Sequence, residues 1–293
     1  MLKNPIRLLL VVAALVILSI LILQPISVFY FKGNIDVLFP KGIVALKERN
    51  LLFILQGIMF IVVIPVYILT FIFSWKYRAS NKNAVYDPDF VDNHVAEYFW
   101  WGIPCVITLV MAVITWQYTH ELDPYKALKS ENKALTIQVI ALDWKWLFIY
   151  PEERIATVNF IQFPKERPIH FEITADAPMN SFWIPRLGGQ IYAMAKMKTQ
   201  LNLMASEIGD FKGSSANISG EGFAGMTFIA RASSEEDYEK WLKTAQGSTK
   251  QLDLVEYNKI ALPSQKNPVV LYQLKDEDLF NKIMNKYMHP QGK

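Results

Sequence analysis

The sequence predicts a membrane-anchored protein with two spanning helices, an antiparallel β-sandwich and a helical C-terminal region. Three observations carry this expectation. Residues 51–73, LLFILQGIMFIVVIPVYILTFIF, and residues 98–119, YFWWGIPCVITLVMAVITWQYT, contain no Asp, Glu, Lys, Arg or His. From about residue 133, short runs alternating apolar and polar residues recur between turn-forming residues. After about residue 233 the apolar positions repeat at helical spacing instead.

The first segment, 1–33, opens with Lys3 and Arg7 and continues as LLLVVAALVILSILIL over residues 8–23. A basic start before an apolar run is the pattern of a secretory signal, but no A-x-A cleavage site follows. A cleaved signal and a retained anchor both fit. In either case the chain starts inside, and its three apolar runs put the C-terminal domain outside. The two long runs predict transmembrane helices over 45–75 and 97–119. At about 1.5 Å per residue, each crosses a hydrocarbon core of roughly 30 Å. Trp75 and Tyr77 follow the first, Tyr98, Trp100 and Trp101 open the second, and Trp116 and Tyr118 stand near its exit. Aromatic rings prefer the headgroup layer, which supports these edges. Pro65 and Pro104 are tolerable there, because neighbouring groups can satisfy the freed carbonyls. The loop 76–96, with Lys76, Arg78 and Lys82, is expected to be cytoplasmic; the opposite loop carries Lys32, Lys41, Lys47 and Arg49, so the signal-like start and not charge decides the orientation.

The 30 basic and 27 acidic side chains are interspersed, and the formal net charge is only +3. Nucleic-acid binding needs a concentrated basic face, so that class is excluded. Cys105 is the single cysteine, so no intramolecular disulfide can form. His94, His120, His170 and His289 are scattered without an i, i+4 pair and suggest no metal site.

Strands are expected in TIQVIALDWKWLFIYP, ATVNFIQF, PIHFEITA, IYAMAKM, TQLNLMAS and GMTFIARA. The punctuation between them reads FPKERP, DAPMN, PRLGGQ and GDFKGSS. This spacing over 133–232 predicts a sandwich or small barrel. Trp144, Trp146, Phe148 and Tyr150 stand at i, i+2 spacing and are expected on one strand face. In the region 233–293, Ser234 with Asp237 forms a cap, and the helix it starts should end at Gly247. LDLVEYNKIA and DEDLFNKIMNKYM continue as packing helices.

One loop stands out. GSSANISGEGFAGM, residues 213–226, sets Ser215, Ser219, Phe223 and Met226 at spacings of four, four and three. With Cys at the serines and His at the phenylalanine, this would be a tight metal loop.

Several blocks in fixed order, FSWKYRASNKNAVY, ALDWKWLFIYPEERIATVN, MNSFWIPRLGGQIYAMAKM and GFAGM, resemble subunit II of the haem–copper terminal oxidases. The resemblance runs from about residue 40 to about 290 and is strongest to the cytochrome bo-type ubiquinol oxidases of proteobacteria. It implies a cupredoxin-like outer domain. In copper-bearing members two coppers lie between a His on one loop and a C-x-x-x-C-x-x-x-H-x-x-M loop. On this chain those ligands fall on Asn180, Ser215, Ser219, Phe223 and Met226, and a carbonyl ligand falls on Asn217. A Ser hydroxyl stays protonated near neutral pH, and neither Asn nor Phe replaces imidazole. No metal is therefore expected in this chain.

The resemblance further implies a non-redox subunit of a proton-translocating ubiquinol oxidase in the bacterial inner membrane, its C-terminal domain periplasmic. Haems and copper would lie in subunit I, with ubiquinol as substrate of the complex. Subunits I, III and IV and membrane lipid would be its partners. No catalytic residue is assigned to this chain. Glu97, by its residue type alone, is a carboxylate favoured at a helix N-terminus. The resemblance places it near the mouth of a proton path, the K-channel, leading into subunit I. LILQPIS contains no lipobox cysteine, which favours a retained N-terminal segment over a lipid anchor. Two other readings compete: a copper-bearing cytochrome c oxidase subunit, disfavoured by the lost ligands, and a stand-alone anchored module binding a periplasmic partner.

Overall fold

The computed structural model describes residues 35–85, 87–89 and 92–286. The signal-like segment 1–33 lies outside the described residues. The chain divides into two compact units, one holding Asn50–Glu121 and the other Asp36–Arg49 with Leu122 onward.

Two helices run through the chain here, α1 (Ile43–Lys76), which belongs to the first unit from Asn50 onward, and α2 (His94–Glu121). At 1.5 Å per residue they extend about 51 and 42 Å, each longer than a hydrocarbon core of roughly 30 Å. Their apolar side chains are largely uncovered within this chain, Phe71, Trp101 and Trp116 among them. In water such surface would drive collapse or association; in lipid it is already solvated. The hydroxyls on α1 are satisfied inside the helix, Thr70 Oγ1 donating to Val66 O and Ser74 Oγ to Thr70 O, both at 2.7 Å. Asn93 starts α2 by accepting the Ala96 N–H on Oδ1 at 3.1 Å.

The second unit is a sandwich. In chain order its strands are β1 (Leu135–Leu142), β2 (Lys145–Tyr150), β3 (Ile155–Val158), β4 (Phe160–Pro164), β5 (Ile169–Ala175) and β6 (Asn180–Trp183). There follow β7 (Ile191–Ala193), β8 (Thr199–Leu203), β9 (Gly209–Ser215), β10 (Thr227–Ser233), β11 (Gln251–Leu252) and β12 (Val270–Leu274). One sheet runs β11-β12-β3-β2-β1-β5-β8, the other β4-β10-β9-β6-β7. Pairing is mostly antiparallel as expected, but β1–β5, β4–β10 and β11–β12 are parallel. Between the sheets an aromatic core forms around Phe182 and Phe228, stacked with centroids 5.2 Å apart. Trp146 meets both edge-on, at 5.4 and 5.8 Å, the geometry that ring quadrupoles favour.

The seven-stranded sheet is covered on its outer face too, which explains why β2 is buried at every position. Ile140, Leu147 and Ile149 point into a second cluster with Tyr257, Tyr272, Phe280 and Ile283. Those residues come from the C-terminal region, whose helices are α3 (Glu235–Gln246), α4 (Leu254–Ile260) and α5 (Leu279–Asn285). The Ser234 cap is as expected, accepting the Asp237 N–H at 3.1 Å. Between the helices, however, β11 and β12 join the sheet, so this region is not helical throughout. Their short apolar runs carry no strand period long enough to read.

Three other expectations are corrected. TIQVIALDWKWLFIYP is a hairpin and not one strand: Leu142 pairs with Lys145, and Trp144 turns the chain with φ 62°. Trp144 therefore does not share the face of Trp146, Phe148 and Tyr150. ATVNFIQF breaks at Asn159, φ 55°, and its halves enter different sheets. GDFKGSS, read as punctuation, contributes β9. Gly213 suits that strand because a Cβ there would fall 2.1 Å from the Phe228 ring.

Candidate functional site

The loop between β9 and β10 is closed by hydrogen bonds at the positions where metal ligands would stand. Asn180 opens β6 and Ser215 ends β9, both buried. Ser215 Oγ lies 2.8 Å from Asn180 Oδ1 and 3.2 Å from Asn217 O. Asn180 Nδ2 donates to Pro178 O at 2.8 Å, and Asn217 Nδ2 to Met179 O at 3.0 Å. The turn continues as a 3₁₀ segment, Phe223–Gly225, and Met226 N–H donates to Phe223 O at 3.0 Å. Met226 is buried in the inter-sheet core, whereas Phe223 is half-buried. Ser219 Oγ is buried with no hydrogen-bond partner among the described residues.

This arrangement does not fit a copper pair. Its donors are two hydroxyls, two amides and one thioether, and a phenyl ring occupies the remaining position. Bridging two coppers requires soft thiolates, which no residue here supplies. A buried amide and hydroxyl that satisfy one another need no ion. Among the described residues no three His, Cys, Asp or Glu side chains cluster as a metal site.

Trp144, expected on a strand face, is the residue that secures the loop. Its indole N–H donates to Ser219 O at 3.2 Å. A Cβ on Gly222 would fall 2.4 Å from its ring, so the loop backbone lies directly against the indole. The hairpin carrying Trp144 is fixed from its other side by Lys145, which is buried. Lys145 Nζ donates to Leu262 O at 2.7 Å and Ser264 Oγ at 2.5 Å, and burial pushes its pKa down. Nothing in the sequence marks this turn, because Trp-Lys-Trp keeps the apolar–polar–apolar alternation of a strand.

The second candidate lies in the other unit. Glu97 is in the first turn of α2, its side chain 45% exposed. Its Oε2 lies 3.4 Å from His94 Nδ1, and His94 Nε2 lies 3.5 Å from Asp92 Oδ2. The contact joins a histidine to a carboxylate at i, i+3, a spacing that the absence of i, i+4 histidine pairs does not exclude. A carboxylate here also suits the positive end of the helix dipole.

The COX Aromatic Rich Motif family matches residues 246–291, the segment that supplies β11, α4, β12 and α5. The cytochrome bo(3) ubiquinol oxidase subunit 2 of Pseudomonas putida is 52% identical over 254 residues, 87% of this chain and 81% of that protein. The ubiquinol oxidase subunit 2 of Acetobacter aceti is 49% identical over 256 residues, 87% and 83% of the two chains. Among solved structures, the periplasmic domain of cytochrome oxidase subunit II from Bradyrhizobium japonicum matches with 20% identity and a TM-score of 0.39. It covers 41% of this chain and 97% of that one. Identity at this level, over most of both chains, means that the chain belongs to the ubiquinol oxidase subunit 2 family of the haem–copper oxidases.

Proposed function

We propose that this chain is the non-redox subunit II of a proton-translocating ubiquinol oxidase in the bacterial inner membrane. The complex oxidises ubiquinol and reduces dioxygen to water, with haems and copper held by subunit I. Subunits I, III and IV and the surrounding lipid are its partners. The two apolar helices anchor the chain as a multi-pass protein, and the sandwich stands in the periplasm.

The observation that carries this reading is the loop 213–226. It has the frame of an electron-entry site but neither its thiolates nor its imidazoles, in a chain half identical to ubiquinol oxidase subunits. A water-soluble donor such as cytochrome c needs an outer relay. A lipid-soluble quinol delivers electrons within the membrane and needs none. The chain's own contribution is then positional and protonic. The sandwich braces subunit I from outside, and Glu97 stands at the cytoplasmic entrance of the proton path. Its carboxylate is a group that can accept a proton and pass it on, which is what such an entrance needs.

Purified in mild detergent, the complex is expected to show haem spectra and to consume oxygen with ubiquinol but not with reduced cytochrome c. Rapid cytochrome c oxidation would contradict the reading. So would isolation of the chain with no haem-bearing partner.

A further inference from the structure

Glu97 is not alone at its end of α2. Each ring nitrogen of His94 faces a carboxylate, Nδ1 at 3.4 Å from Glu97 Oε2 and Nε2 at 3.5 Å from Asp92 Oδ2. The three side chains are 76%, 45% and 56% exposed, so they are open to solvent. Beside them a shallow open cleft of ≈ 430 Å³ lies along one face of α2, lined by His94, Glu97, Tyr98, Trp101 and Cys105. Gly102 lies on the same face, with open space where its Cβ would be. Asp92 and Glu97 are the charged groups facing His94, with Tyr98 and Cys105 the other ionisable groups in the cleft.

Supply is the physical problem at such a mouth. With a diffusion limit on the order of 10¹⁰ per molar per second for a small ion and free hydronium near 10⁻⁷ M, a lone carboxylate collects on the order of 10³ protons per second. Enzyme turnover numbers commonly reach about 10³ per second, so free hydronium alone can limit the rate. A neighbouring imidazole relieves this, because histidine exchanges protons with water and buffer in the physiological range.

We propose that His94 is a proton-collecting residue that loads Glu97. The imidazolium forms by taking a proton from water or buffer. It passes the Nδ1 proton to Glu97 Oε2, leaving neutral imidazole and a protonated carboxyl, which releases its proton towards the partner subunit. Asp92 Oδ2, 3.5 Å from Nε2, favours a proton on that nitrogen and leaves Nδ1 to face Glu97. This inference rests on the reading of Glu97 as the entrance.

The test uses the intact complex carrying His94→Gln, Asp92→Asn, Glu97→Gln, or His94→Gln with Glu97→Gln. Ubiquinol-dependent oxygen uptake per haem is measured against pH and the concentration of a mobile imidazole buffer. His94→Gln should be several-fold slower than wild type in dilute buffer at alkaline pH, and should recover as the buffer is raised, with KM for ubiquinol unchanged. Asp92→Asn should show a smaller form of the same defect. The double variant should be no slower than Glu97→Gln alone. If Glu97→Gln keeps wild-type turnover, the entrance reading falls and this inference with it. If Glu97→Gln is slow while His94→Gln matches wild type at every pH and buffer concentration, the role of His94 alone is overturned. A His94→Gln defect that buffer does not relieve also overturns it. Should His94→Gln fail to assemble haem, Asp92→Asn carries the test by the same criterion.

Discussion

The loop at 213–226 and the entrance of α2 are opposites in how form and chemistry are distributed. The loop is elaborately held: Ser215 is joined to Asn180, Trp144 to Ser219, and the Gly222 backbone lies against the indole. Yet its side chains at the ligand positions, Ser215, Ser219, Phe223 and Met226, offer neither thiolate nor imidazole. The α2 entrance has little structure beyond one cap and two loose contacts, but every member of it can carry a proton. A fold frame is thus no guide to chemistry. Donor type decides, because it sets whether a proton, an electron or only a hydrogen bond can be exchanged.

The sharpest way to break this contrast is to restore the donors. Ser215→Cys, Ser219→Cys, Phe223→His and Asn180→His together should give a folded protein that takes up copper and shows thiolate-type visible absorption. A folded variant that stays colourless with copper would mean that these positions do not converge as a ligand set. The loop's form can be tested separately. Gly213→Ala drives a methyl into the Phe228 ring and should cost about 1–3 kcal/mol by overpacking. Gly225→Ala, whose Cβ would meet only Lys266 Cγ at 3.8 Å, should leave the melting temperature nearly unchanged. Equal melting temperatures for both would remove the evidence for a tightly held loop.

A smaller effect concerns charge elsewhere in the outer unit. Burial raises the pKa of Glu153 from its ordinary 4.5, and its Oε2 has no partner among the described residues. Below 4.5 the folded and unfolded chains both hold the proton, so the group adds no pH dependence. As pH rises through the raised folded value, the unfolded chain has already released its proton and the folded state is penalised. Glu153→Gln should therefore gain melting temperature over wild type at about pH 7–8, and the gain should shrink as pH falls towards 4.5. A difference independent of pH would show that the carboxylate is not penalised by its surroundings.

The sequence made some of this legible and hid the rest for physical reasons. The two membrane helices were readable because a charge-free run of this length admits few other structures. The cap at Ser234 was readable because its geometry is local. The break at Trp144 was not, since a bulky residue at positive φ is uncommon and the flanking residues keep a strand-like alternation. β11 and β12 were hidden because they are short and gain their place from Tyr272 and Leu252 packing across the sheet. The ligand positions of the loop came from the family resemblance laid on its spacing. What fills them, a Ser–Asn hydrogen bond, is a long-range contact that no spacing predicts.

The central claim is that this chain works through its membrane end and not through its outer loop. Ubiquinol oxidase turnover per assembled haem, compared between Glu97→Ala and Ser215→Ala, tests it most directly. Ser215→Ala leaves the buried Asn180 amide short of a partner and should cost about 1–3 kcal/mol of stability while keeping wild-type turnover. Glu97→Ala should assemble normally and turn over slowly, with Glu97→Asp partly restored. Wild-type turnover in Glu97→Ala across pH, or a loss of turnover in assembled Ser215→Ala, would contradict the account.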